Sequence, residues 1–253
     1  MVLALFFKTG IIVLSFLAII ILSVKYVPMV VSVTSHSNAK QLPIYRVETK
    51  SNNVALTFDV MNNNEDIDQI LEILEKHNVK ATFFLTGSWV EKYPHDVKKL
   101  VEAGHDIGNR GYHYKHMELL DYNECKEEMM ALHNKVKELT KVDMELFRPP
   151  YGGYNNKVIH AAKDLGYHSI KWDIDSMDWK DYGVNEIVRK TTQDDNLKNG
   201  SIILLHTATK YTVDALEDII IELQEQNYEM TCLSNLIYQN DYIVDLSGNQ
   251  IKK

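Results

Sequence analysis

Residues 54–87 read VALTFDVMNNNEDIDQILEILEKHNVKATFFLTG. The runs 54–58 and 81–85 are short, apolar and rich in strand-forming residues. Between them Ile67, Ile70, Leu71 and Leu74 recur at the spacing of one buried helix face. Strand, helix and strand in succession form the building unit of a parallel sheet. The same alternation continues outward, with strand-like runs at 105–108, 145–147, 168–172 and 201–205. Helical patterns separate them. One follows Pro94 and carries Val97, Leu100 and Val101, and a long amphipathic one covers 122–139. Others cover 155–165, which stops at Gly166, then 184–192 and 212–226. The tail after Thr231 is expected to add one more helix. Six or seven β/α units imply an α/β fold with a mainly parallel sheet, which a barrel or a doubly wound open sheet would both satisfy. In either, function sits at the C-terminal ends of the strands.

The N-terminus differs from this pattern. Between Lys8 and Lys25 runs TGIIVLSFLAIIILSV, without a charge. A span needs roughly 20 residues, and snorkelling by the two lysines supplies the remainder. The expected organisation is a membrane anchor at 1–27, a polar stalk at 28–50, a catalytic-type domain at 51–240 and a short tail at 241–253. A cleaved signal peptide is the competing reading, but its nearest small-x-small site, Ser37-Asn38-Ala39, lies beyond the usual reach. The formal net charge of −8 offers no basic surface for nucleic acid. Cys125 and Cys232 are too few for a disulfide framework and read as buried thiols, a single bridge being the alternative. The chain is expected to be monomeric.

Five strand ends deliver polar groups to one edge of the sheet. They are Thr57-Phe58-Asp59, Asn109-Arg110-Gly111-Tyr112-His113-Tyr114-Lys115-His116, Arg148-Pro149-Pro150-Tyr151, Asp175-Ser176-Met177-Asp178-Trp179 and Leu204-Leu205-His206. A lone strand-end Asp is more often a helix cap than a base. Five such groups on the functional edge point instead to a site.

With these residues in place, the sequence resembles the polysaccharide deacetylases, carbohydrate esterases with a NodB-homology domain. The resemblance covers roughly residues 54–237, and the flanks Ala81-Thr82-Phe83-Phe84 and Gly104-His105-Asp106-Ile107-Gly108-Asn109 share it. Among branches the chain looks most like the sporulation-associated, PdaB-like members, which also read Thr-Phe-Asp-Val at the first motif. The resemblance implies a distorted (β/α) barrel of six to seven parallel strands, NodB-like, here after one N-terminal transmembrane helix. It further implies an extracytoplasmic, membrane-anchored domain acting on a cell-wall glycan. By resemblance Asp59 is the general base held by Arg148, and His206 the general acid tuned by Asp178. The Tyr151 backbone N–H would help hold the oxyanion, while Trp179 and Leu204 would wall the acetyl pocket.

The family also binds a divalent metal such as zinc through a second Asp and two His. Here the second Asp is Val60, and carrying the pattern through without gaps puts Arg110 and Tyr114 at the two His positions. None of the three is a family ligand, and Arg cannot serve as one, so no metal is assigned. A slipped register would recruit His113 and His116 instead. One metal charge of +2 beside one Asp leaves +1, the charge Arg110 alone supplies, so Arg110 is expected to take over the metal's electrostatic role, either pairing with Asp59 or facing a substrate oxyanion or an anionic glycan, and Arg110 and Tyr114 are both counted as substrate-binding. The main expectation is removal of N-acetyl groups from a peptidoglycan-like glycan. The alternative is a weak or inactive glycan-binding pseudoenzyme of the cell or spore envelope, using Tyr112, Tyr151 and Trp179 as sugar-stacking surfaces. A third reading makes Asp59–Arg148 a merely structural ion pair.

Overall fold

The computed structural model describes residues 40–60 and 63–253. Within the unit Gln41–Lys253, residues 54–87 fold as read. Strand β2 (Asn53–Asp59) is buried from Val54 onward, α1 (Ile67–Lys76) buries Ile67, Ile70 and Leu74, and β3 (Thr82–Leu85) is buried throughout. An uninterrupted buried run is what a parallel strand covered on both faces requires.

The units that follow are α2 (Gly87–Lys92), α3 (Pro94–Glu102) and β4 (Asp106–Asn109), then α4 (Tyr122–Thr140) and β5 (Leu146–Phe147). After them come α5 (Asn156–Asp164), β6 (His168–Ser169), β7 (Ile174–Asp175), α6 (Val184–Thr192), β8 (Ile202–His206) and α7 (Thr212–Glu225). Helix α4 starts at a capping box, in which Asp121 accepts from the Glu124 N–H and Glu124 from the Asp121 N–H.

The strand order is β6-β5-β4-β3-β2-β8-β7, every pair parallel, and β9 (Glu229–Met230) pairs with the start of β2. The two outer strands, β6 and β7, do not pair, so the sheet curls into a half-barrel rather than a barrel. Backbone bonds near the opening go elsewhere. Ile44 donates to Ser169 O at 2.7 Å and accepts from Lys171 N at 2.7 Å, while Val47 donates to Gly200 O at 3.0 Å. A segment before the first β/α unit therefore lies in the seam.

Two expectations are corrected. The tail is not chiefly helical: after a single turn, α8 (Leu233–Leu236), β10 (Tyr242–Val244) and β11 (Asn249–Lys252) form a three-stranded sheet with β1 (Arg46–Val47). Secondly, the expected transmembrane helix at 1–27 lies outside the described residues, and among those described no helix is long and apolar enough to cross a membrane. The anchor, the membrane as partner and the membrane-anchored location drawn from it therefore have no structural support. Among the described residues the apolar runs are strands and amphipathic helices packed into two hydrophobic clusters.

Candidate functional site

The sheet's register brings the polar strand ends together. Asp59 closes β2 opposite His206, which closes β8. Arg110 and Arg148 are the first residues beyond β4 and β5, and Asp178 follows β7 by three residues. Asp59, Arg110, Arg148 and Asp178 are all buried, at 1%, 3%, 0% and 0% exposure, which is rare for charged residues unless they pair. They do pair. Arg148 Nη1 donates to Asp59 Oδ1 at 2.9 Å and its Nη2 to Thr57 Oγ1 at 2.9 Å. The Arg110 guanidinium pairs with Asp59 Oδ2 on the other side.

Two glycines make this geometry attainable. A Cβ on Gly108 would lie 2.4 Å from the Phe84 ring, and it is over this ring that the Arg148 guanidinium stacks at 4.0 Å. Gly111, at φ +77, lets the chain turn immediately after Arg110. The loop is then pinned by Glu128 of α4, which accepts from the His113 N–H at 2.8 Å and meets Lys115 Nζ at 2.8 Å.

Electrostatics follow from burial and pairing. Burial pushes the Asp59 carboxyl up, but Arg110, Arg148 and His206 outweigh it and hold the carboxyl below its ordinary value. Burial lowers Arg148 to about 10, with Asp59 opposing. For His206 burial acts downward, yet the bond and charge of Asp178, with Asp59, leave the imidazole above its ordinary value. His206 Nδ1 sits 2.7 Å from Asp178 Oδ1, while Asp178 Oδ2 accepts from the His206 N–H and from Thr212 Oγ1, both at 2.7 Å. Lys171, which sequence reasoning missed, stands 3.9 Å over Trp172 with its pKa brought down to about 8 by burial and then by Arg148. Its position just past β6 was the available signal.

The other expected residues divide. Tyr151 and Trp179 are 58% and 56% exposed, each in the loop that follows a site strand. Leu204 is buried in β8, two residues before His206. Tyr114 accepts from Arg110 Nη2 at 2.8 Å, and its ring lies 4.5 Å from that of Tyr151. His113 and His116 face other partners: His113 Nδ1 meets Glu128 at 2.8 Å, and His116 stacks on Tyr151 at 4.1 Å.

A divalent metal does not fit this donor set. Val60 is an apolar, fully buried side chain, Arg110 brings a positive charge to the same carboxylate, and the Tyr114 hydroxyl is already engaged by Arg110. Among the described residues no group of three His, Cys, Asp or Glu side chains is placed to hold a metal ion.

Comparison with known proteins agrees with this architecture. The family model of the polysaccharide deacetylases matches residues 46–170. The peptidoglycan-N-acetylmuramic acid deacetylase PdaA of Bacillus subtilis is 31% identical over 78% of this chain and 76% of its own. The crystal structure of a carbohydrate esterase family 4 pseudoenzyme from Bacillus anthracis superposes with a TM-score of 0.74 at 32% identity, covering 84% of this chain and 73% of that one. A mutant of the same pseudoenzyme, described as having restored enzymatic activity, gives 0.73 at 33%, covering 77% and 71%. These matches act at family level and give the PdaB-like branch no support.

Proposed function

Since the chain belongs to the polysaccharide deacetylase family, we propose that it binds a cell-envelope glycan over the strand ends that carry Asp59 and His206, without deacetylating it. One observation carries this reading: Arg110 pairs with Asp59 where the family pattern calls for a metal-bound water. Amide hydrolysis needs an activated water, a base to take its proton and an acid for the leaving amine. A guanidinium supplies no lone pair and does not acidify water as a bound metal does. A carboxylate held below its ordinary pKa by two guanidiniums is a weak base.

Binding groups remain. Tyr151 and Trp179 offer exposed, amphipathic rings in the loops after β5 and β7, suited to the apolar face of a pyranose. The similarity to a family 4 pseudoenzyme supports loss of turnover, and the similarity to peptidoglycan deacetylases supports a cell-wall glycan.

The test uses residues 41–253 with N-acetylated cell-wall oligosaccharides, following acetate release and equilibrium binding together. Binding without acetate, weakened roughly tenfold or more by Trp179→Ala (a loss of about 1.4 kcal/mol), is the expected result. Acetate release that disappears in His206→Ala would sink it in favour of a slow, metal-free hydrolase.

A further inference from the structure

Lys171 joins the ionic cluster to the turn that carries Tyr151. Its carbonyl accepts from Arg148 Nη2 at 3.2 Å, the same guanidinium whose Nη1 holds Asp59. Its ammonium donates to the Gly152 carbonyl at 3.3 Å. One residue just past β6 therefore grips both Arg148 and the turn after β5.

That turn needs holding. Tyr151 stands at φ 55 and ψ 6, and Gly152 at φ +71, two left-handed residues in succession. Glycine takes this conformation freely, whereas a tyrosine does so only where its surroundings enforce it. Two bonds come from within the turn, Gly152 N–H to Pro149 O and Gly153 N–H to Pro150 O, both at 3.1 Å. Two rings lie against the Tyr151 side chain, His116 stacked at 4.1 Å and Tyr114 at 4.5 Å. Lys171 adds a hold on the backbone from outside the turn.

The position is built for an ammonium. Lys171 Nζ lies 3.9 Å over the Trp172 ring and 6.0 Å from that of Tyr45, both within cation–π range. A Cβ on Gly152 would meet Nζ at 2.4 Å, so the glycine makes room for the lysine as well as for the left-handed backbone. Folding gains nothing from this charge. Burial, then Arg148 and more weakly Arg110, brings the amine down to about 8, with Asp59 and Asp175 opposing. A group depressed in this way binds its proton more tightly when unfolded, so below about 8 the charged lysine works against folding. The turn it holds accounts for its place better than the core does.

We infer that Lys171 is a positioning residue whose ammonium holds the Tyr151–Gly152 turn and so fixes the Tyr151 ring where a glycan would stack, a reading that rests on the glycan-binding function proposed above. Lys171 acts through Tyr151 and not by contact with the sugar. The hold is strongest while the amine is charged. It weakens as pH rises through about 8, when the charge-assisted bond and the attraction to Trp172 are lost. The Tyr45 phenol also faces this amine, and burial with Tyr154 keeps it above its ordinary value and therefore neutral over that range.

The test is calorimetric titration of residues 41–253 with the tetra-N-acetyl glucosamine tetramer, beside thermal melts and amide spectra of the unliganded domain. Lys171→Met keeps the aliphatic stem and removes the charge. It is expected to bind the tetramer about tenfold more weakly at neutral pH, with no fall in Tm. The gap between parent and variant should close well above pH 8, where the parent's amine is neutral as well. In the parent the Gly152 and Gly153 amide signals should shift with a midpoint near 8, and in Lys171→Met they should not. A variant that binds as the parent does at neutral pH, or a gap that persists at high pH, overturns the inference while the glycan reading stands. Amide signals that ignore the titration do the same. So does weaker binding with a lowered Tm, which would make Lys171 a structural residue. No binding of the tetramer by the parent overturns both.

Discussion

His206 Nε2 stands 4.0 Å from Asp59 Oδ2, the same oxygen that Arg110 holds. The imidazole and the carboxylate stand in register across two central strands. Arg110 and Arg148 engage one oxygen of that carboxylate each, so the pair survives inside an ionic cluster.

Replacing the three misfit side chains should reopen it. The triple variant Val60→Asp, Arg110→His, Tyr114→His is expected to take up about one zinc or cobalt ion per chain and to release acetate from N-acetylated glycan. Arg110→His alone should do neither, because Val60 supplies no oxygen. Elemental analysis with an acetate assay checks both, and a triple variant that folds yet holds no metal would refute the assigned ligand positions.

Asp59 is expected to matter for stability independently of any glycan. Asp59→Asn leaves two buried guanidiniums facing a neutral amide, and breaking a buried pair in this way costs about 3–5 kcal/mol. For a domain of this size that is a fall in Tm of roughly 6–20 °C. Arg110→Met leaves Asp59 paired with Arg148 and should cost distinctly less. Thermal melts of the two variants decide this, and an Asp59→Asn domain as stable as the parent would contradict the pairing.

The Asp178–His206 contact predicts a titration. His206 is held above its ordinary value chiefly against burial and by Asp178, so its share of stability is present at low pH and is lost as pH rises through the raised pKa. In Asp178→Asn the opposing burial remains and only the weaker attraction of Asp59 supports the charged ring, so it should titrate at a lower pH than in the parent. Nitrogen chemical shifts of the His206 ring, followed with pH, read the change directly.

His105 behaves in the opposite sense. Burial, then Lys80, brings it down to about 4, and its Nδ1 accepts from the Ala81 N–H at 3.1 Å. A group whose folded pKa is depressed binds protons more readily when unfolded. Its stabilisation is full above about 6.5 and is lost as pH falls toward 4. The Tm difference between the parent and His105→Gln should therefore shrink over that window, and a pH-independent difference would refute it.

The half of the fold built on periodicity was legible in the chain. The runs at 54–58, 81–85 and 201–205 and the helices at 122–139 and 184–192 emerge within a residue or two, because each buries a continuous apolar face. The two-residue strands β1, β7 and β9 carry no pattern of their own, and β10 and β11 mix exposed and buried positions, so their pairing is decided by tertiary contacts. At the site, strand-end position located Asp59, Arg110, Arg148 and His206. Which of its expected partners Arg110 would take, and that Leu204 would be buried in β8, depends on side-chain direction, which motif spacing does not encode.

The seam of the half-barrel has a consequence for self-association. An unpaired strand edge is a ready template on which a second chain can add and propagate. Here Ile44 covers the edge at the end of β6, donating to Ser169 O and accepting from the Lys171 N–H, while Val47 ties into the loop before β8. Fragments beginning after residue 47 would bare that edge, and they should form intermolecular β-structure where those beginning at 41 stay dispersed. The few residues ahead of the first β/α unit thus act as a built-in guard against aggregation.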